Sequence, residues 1–177
     1  MDNGLLQGFS LFADADDQSL EAIAKGCRLL DFGAGDQVFA QEAGADRIYG
    51  VVDGSVELVL MLSEEILKST IEYEEALSVT REVLEKPMVV ETLGAGDVFG
   101  WSAMVVPPGR WTATARCTCP TRVFALPAAD LKARFEADPL LGYRFMSRLG
   151  GVISRRLHQR TGKLLDAWGE AFGGHPR

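Results

Sequence analysis

Gly94-Ala95-Gly96-Asp97-Val98-Phe99-Gly100-Trp101-Ser102-Ala103-Met104 is the segment around which the rest of this 177-residue chain can be organised. Two glycines and an aspartate mark a tight turn. Val98-Phe99 is a strand-like step, and Gly100 opens a short apolar helix. A few residues on, Arg110-Trp111-Thr112-Ala113-Thr114-Ala115 reads as the start of another strand. This layout suits an anion. A helix start offers backbone N–H groups without intrahelical partners and a partial positive charge. A nearby arginine adds a planar fork that can hold a phosphate through two parallel hydrogen bonds.

On both sides of that segment the chain alternates short apolar runs with glycine turns. Arg28–Phe32, Gln37–Gln41, Arg47–Val52, Ser55–Leu62, Met88–Leu93, Thr112–Cys119 and Thr121–Leu126 read as strands. They are punctuated by Gly33-Ala34-Gly35-Asp36, by Asp53-Gly54 and by Pro120. Strands at this spacing predict a sandwich or barrel, and Asp53-Gly54 is a strong hairpin signal. Asp14 and Asp16 ahead of Leu20, Ile23, Ala24 and Cys27 predict a capped N-terminal helix. Ala128-Ala129-Asp130 leads into a helix bearing Leu131 and Phe135. Asp138-Pro139 starts another, which carries Leu141, Phe145, Leu149, Val152, Ile153 and Leu157 and continues toward Trp168.

Residues 63–86 break this rhythm with seven acids against Lys68, Arg81 and Lys86. Ser63-Glu64-Glu65 resembles a helix start, and Leu67, Ile71, Leu77 and Leu84 recur at roughly helical spacing, so the spacing predicts an inserted acidic helix or helix pair. It is either a solvated excursion or a docking element for a partner. Residues 139–163 carry Arg144, Arg148, Arg155, Arg156, Arg160 and Lys163 and no acid. Either Phe145, Leu149, Val152 and Ile153 form a buried or dimer-facing stripe with the arginines on a solvated face, or the arginines bind nucleic acid or an acidic partner; the first is the expectation.

With 47% apolar and 24% charged residues the composition is that of an ordinary globular protein. The net charge of −7 argues against DNA or a membrane as principal partner. No apolar run approaches the roughly 18 residues needed to span a bilayer, and the start lacks the pattern of a secretory signal, so the cytoplasm is expected. Cys27, Cys117 and Cys119 are too few for a disulfide framework. His158 and His175 lack metal-ligand spacing. Ser102 has no base near it in sequence, and no Walker or dinucleotide fingerprint is present. The chain is therefore expected not to be an enzyme.

The order of these pieces resembles the cyclic nucleotide-binding domain family, which includes bacterial catabolite activators and protein kinase A regulatory subunits. The resemblance rests on Leu11-Phe12 with Leu20, on Phe32-Gly33-Ala34-Gly35-Asp36 with Phe39, on Ile48-Tyr49-Gly50-Val51-Val52-Asp53-Gly54-Ser55-Val56, and on Gly96-Asp97-Val98-Phe99-Gly100 leading into a phosphate-binding cassette. It implies a mainly β architecture with flanking helices, a double-stranded β-helix or jelly roll of eight strands. The roll would occupy residues 1–138 with the 63–86 insertion. Residues 139–172 would be a C-terminal helical segment that can pair with its two-fold mate, and 173–177 a disordered tail. The resemblance also implies a ligand site at Phe99, Gly100, Trp101, Ser102, Ala103, Arg110, Trp111 and Thr112, with cAMP or cGMP as the ligand class.

Two positions depart from the family pattern. The residue after Phe-Gly is usually a glutamate that accepts from the ribose hydroxyl, and here it is Trp101. The arginine that pairs with the cyclic phosphate falls either at Arg110 or, one residue along, where this chain has Trp111. One residue of slip on a strand reverses a side chain's direction. Losing both contacts would cost about 3–6 kcal/mol if additive. Two expectations follow: a stand-alone regulatory module whose ligand occupancy is coupled to the C-terminal helices, through a cassette with lost or altered nucleotide affinity, or a ligand-free interaction module whose pocket is filled by tryptophan. The chain ends about 20 residues past Leu157, so a helix-turn-helix is not expected and DNA binding of that kind has no element to carry it.

Overall fold

The computed structural model describes residues 3–73, 76–105 and 109–171. Helix α1 (Asn3–Gln7), a 3-10 turn (Ser10–Phe12) and helix α2 (Asp17–Ala24) lead into eight strands. These are β1 (Arg28–Phe32), β2 (Gln37–Phe39), β3 (Arg47–Asp53), β4 (Val56–Tyr73), β5 (Ala76–Leu93), β6 (Val98–Phe99), β7 (Thr114–Cys117) and β8 (Thr121–Pro127). A one-turn helix, α3 (Ser102–Val105), follows β6, and α4 (Ala128–Ala137) and α5 (Pro139–Ala171) close the chain. Two four-stranded antiparallel sheets, ordered β1-β8-β3-β6 and β2-β7-β4-β5, form the expected roll.

The corners of the roll are local chemistry. Gly33-Ala34-Gly35-Asp36 and Gly94-Ala95-Gly96-Asp97 are the same tetrapeptide in the same conformation. In each, the aspartate carboxylate accepts from the first glycine's N–H, at 2.7 and 3.0 Å. The third residue has φ of 87° and 91°, which only glycine adopts without strain. Each turn then joins a neighbouring strand through a reciprocal pair of backbone bonds. Gly35 and Asp36 exchange with Cys117, and Gly96 and Asp97 with Val51. Gly50 on β3 meets a different need: a Cβ there would run into the rings of Phe124 and Phe9.

Asp16 caps α2, its carboxylate accepting from Ser19 N–H at 2.7 Å. Asp138 does the same for α5, accepting from the N–H groups of Leu140 and Leu141. Helix α5 is expected from the sequence and runs 33 residues. Phe145, Leu149 and Val152 bury its inner face. The ring of Phe145 meets those of Phe12 and Phe135 at 5.6 and 5.0 Å, tying α5 to the N-terminal segment and to α4. Gly150 and Gly151 lie within α5 where a Cβ would meet nothing within 4 Å. No packing demand therefore accounts for two residues that each cost about 1 kcal/mol relative to alanine.

The basic stretch of α5 is not simply a solvated face. Arg148 clamps the Asp14 carboxylate with two bonds of 2.8 and 2.9 Å, and Arg144 donates to the Asp14 carbonyl. Arg156 is only 7% exposed. The Arg148 hydrogen bond holds the Asp14 carboxyl below its ordinary value of 3.8, and the Arg122 hydrogen bond does the same for Asp31. Both carboxyls are depressed in the folded state, so their stabilisation is present above the ordinary value and is lost as pH falls through the folded one. The urea midpoint of the native chain is accordingly expected to drop between pH 5 and about pH 3. Asp14→Asn should flatten part of that drop; an unchanged pH profile in the variant would remove the clamp from the account.

The segment 63–86 is not helical. Strand β4 runs to Tyr73 and β5 begins at Ala76, with pairing continuous from Val56↔Leu93 to Tyr73↔Ala76 apart from irregularities at Leu58/Val59 and Ile71/Tyr73. Only Val56–Val59 also pair with β7. Beyond them the hairpin continues as a two-stranded ribbon on the order of 45 Å long. The ladder is already seeded inside the roll, so each further residue pair extends it without a new nucleus. Ile66, Thr70, Ile71, Val79, Thr80 and Val83 favour the extended form. Residues 74–75 and the tail 173–177 lie outside the described residues.

Candidate functional site

Strand β6 ends at Phe99, and Gly100, with φ of 80°, turns the chain into α3. There Met104 N–H reaches the Trp101 carbonyl at 2.8 Å. Ala103 and Met104 are buried, so α3 lies against the roll. Lys132 of α4 donates to the Ala103 carbonyl at 2.9 Å, which links α3 to the C-terminal helices.

Gly100, Trp101, Ser102, Trp111 and Thr112 line one cavity together with Phe39, Leu58, Ala113 and Arg160. Phe99 and Ala103 are buried and do not line it. Arg110 lies apart from the others. It is exposed, it forms an isolated bridge with Gly44, and its Nη1 donates to the Glu42 carbonyl at 2.7 Å.

Trp111 points the other way. It is 3% exposed and stacks on Phe39 with centroids 4.1 Å apart and planes 17° from parallel. Tyr49 stands 6.1 Å from it and stacks in turn on Phe99 at 5.3 Å. The backbone holds this orientation: Trp111 N–H donates to Ala43 and its carbonyl accepts from Glu42. Four aromatic rings therefore occupy the end of the roll where the cassette opens. The space left is about 20 Å³, which is room for roughly one water. A small-molecule pocket ordinarily offers about 300–1,000 Å³.

A second cluster closes the cavity from α5. Arg156 Nε donates to Glu91 Oε1 at 2.8 Å, and Arg160 Nη2 to Glu91 Oε2 at 3.0 Å. Arg156 Nη2 stands 3.9 Å from Asp97, the turn residue described above. The guanidinium carbon of Arg156 lies 4.8 Å from the centroid of the Trp101 ring, a cation–π contact of about 2 kcal/mol when desolvated. Burial lowers the Arg156 pKa, against the opposing pull of Glu91 and Asp97. Arg156 Nη1 and Arg160 Nε have no hydrogen-bond partner. The turn, the cassette and α5 are thus one connected polar assembly. The sequence carried a trace of it, two arginines four apart in the acid-free stretch 139–163, but their partner Glu91 lies more than 60 residues away in the chain.

Among the described residues no His, Cys, Asp and Glu cluster could hold a metal ion. No described helix is long and apolar enough to cross a membrane.

The roll with its glycine turns, the cassette helix after β6 and the long closing helix together specify the architecture. The fold is that of cyclic nucleotide-binding domains. A protein from Geobacter metallireducens named for cyclic nucleotide binding superimposes with a TM-score of 0.66 at 23% identity, over 89% of this chain and 99% of that one. A cyclic nucleotide-binding domain from Methylobacillus flagellatus gives a TM-score of 0.68 at 15% identity, over 93% and 80%. The c-di-GMP-responsive global regulator CLP of Xanthomonas campestris gives 0.64 at 18% identity, over 89% of this chain and 65% of the regulator. No family model matches the chain, and no curated protein matches it. These cyclic nucleotide-binding neighbours share the shape of this roll at identities too low to carry ligand chemistry across.

Proposed function

We propose that this chain is a regulatory module on the cyclic nucleotide-binding fold whose interior is filled by its own aromatic side chains, and that it acts through the surfaces of α5 by protein contact. The observation that carries this reading is Trp111 stacked on Phe39 inside the roll while Arg110 is bonded to the Glu42 carbonyl outside it. A cyclic phosphate would find neither the arginine nor the volume it needs. The contact surface is the outer face of α5, where Leu140, Tyr143, Met146, Leu157 and Leu165 are exposed. Tyr143 at 72% and Leu157 at 65% are large apolar groups facing solvent, and such a face supports pairing with a second copy or with another protein.

A nucleotide-gated module is the second reading. It is favoured by the chain of contacts from Gly100 and Trp101 through Arg156 and Asp97 into α5, a route by which occupancy would move the helix. Calorimetric titration with cAMP, cGMP and c-di-GMP separates the two. No heat of binding and no rise in melting temperature at millimolar ligand is the expected result. Saturable binding that Gly100→Val abolishes would overturn the filled-pocket reading in favour of the second.

A further inference from the structure

A larger cavity lies outside the roll, in the groove between α5 and the segment from Glu91 to Val98. It measures about 690 Å³ and shares no lining residue with the small cavity beside Trp111. Its floor includes Arg156, whose Nη1 is buried without a partner. Arg155, Gln159 and Lys163 line its helical wall. At four-residue spacing they stand one above another on one face of α5. Among the described residues neither Arg155 nor Lys163 forms an ion pair, so two unpaired cations and an amide line the helical side of the opening.

Across from this ladder are acceptors and a hydroxyl. Thr92 and the half-exposed carboxylate of Asp97 line the opposite wall. Glu91, the other acid present, is already matched by Arg156 and Arg160. Arg156 Nη1 is shut away from the groove, so Arg156 contributes a fixed positive charge beneath the floor, and Arg155 and Lys163 supply the accessible donors.

We propose that this groove binds a small phosphate-bearing polyhydroxy compound. The phosphate oxygens accept from Arg155 and Lys163 over the fixed charge of Arg156, and the hydroxyls donate to Asp97 and meet Thr92. The polar lining suits such a ligand, and the volume falls within the range of about 300–1,000 Å³ usual for small-molecule sites. Because α5 supplies one wall and the Asp97 turn the other, occupancy braces the helix against the roll whatever the state of the roll's interior.

The test uses the full chain and ribose 5-phosphate, with inorganic phosphate and ribose as the two half-ligands. Ribose 5-phosphate is expected to bind saturably and raise the melting temperature, inorganic phosphate to bind more weakly, and ribose to leave both unchanged. Arg155→Gln and Lys163→Gln are safe probes because neither side chain takes part in the ion pairs that hold α5. Each should weaken ribose 5-phosphate binding by about 10-fold, and the pair by about 100-fold, with unchanged melting of the free protein. Absence of saturable ribose 5-phosphate binding, or equal binding by the double variant, would overturn the assignment. Repeating the cAMP and cGMP titrations on the Arg155→Gln/Lys163→Gln double variant tells binding in the groove apart from binding in the roll.

Discussion

Trp111→Ala is expected to lower the free energy of unfolding by about 3–5 kcal/mol, the usual cost of truncating a buried tryptophan. Phe39 loses its stacking partner and Tyr49 one side of its packing, and the backbone of Trp111 is bonded through both its carbonyl and its N–H to Glu42 and Ala43. The backbone therefore cannot collapse far into the space, and a cavity remains. An apolar cavity of indole size stays dry and accepts small aromatic molecules. Added indole should then raise the melting temperature of Trp111→Ala and leave the native chain unaffected. The variant is not expected to gain cAMP affinity, because Arg110 stays outside and Trp101 still occupies the position where the family carries glutamate. A mild loss below about 1 kcal/mol, the scale of an exposed site, would mean that the indole does not fill the roll.

Glu91→Ala is the second large effect. Glu91 engages both Arg156 and Arg160, and its side chain is 15% exposed against 8% for Arg156. Removing one partner of a buried pair leaves an uncompensated charge, at a cost of about 3–5 kcal/mol. Asp97 at 3.9 Å and the Trp101 face recover part of this. The double variant Glu91→Leu/Arg156→Met should be less destabilised than Glu91→Ala, since well-packed apolar replacements of buried pairs are often neutral. Hydrogen exchange reads the same event locally: amides of residues 152–163 should lose protection in Glu91→Ala while those of β3 and β8 keep theirs. Uniform loss across the chain would place Glu91 in the global core rather than in a link between α5 and the sheet.

The roll itself was legible in the sequence because its corners are made by residues that act on their own neighbours. Gly35, Gly96 and Gly54 take positive φ, and Asp36 and Asp97 fold back three residues, whatever the rest of the chain does. The Asp138-Pro139 start of α5 was readable for the same reason. The ribbon was not. Leu67 and Ile71 are four apart, which satisfies a helix, while Leu77, Val79 and Val83 share one strand parity. What settles the matter is the register inherited from Val56↔Leu93, a contact between distant residues. The site divided in the same way. Gly100, Trp101, Ser102, Trp111 and Thr112 line one cavity as the resemblance implies, yet the opposite directions of Arg110 and Trp111 are set by backbone pairing with Ala43 and Gly44, far away in the chain. The burial of Arg156 was hidden altogether, because its partner lies on another element.

The glycine pair inside α5 has a mechanical consequence. Before Gly150 the helix is riveted to the body by Phe145 and by the Arg148 clamp on Asp14; after Gly151 it is riveted again by Arg156 on Glu91. A shaft fixed at two stations and softened between them transmits twist poorly and flexes at one known place. A load on its far end, near Leu165, is thereby borne by the Glu91 station first, and the N-terminal half stays put until that station lets go.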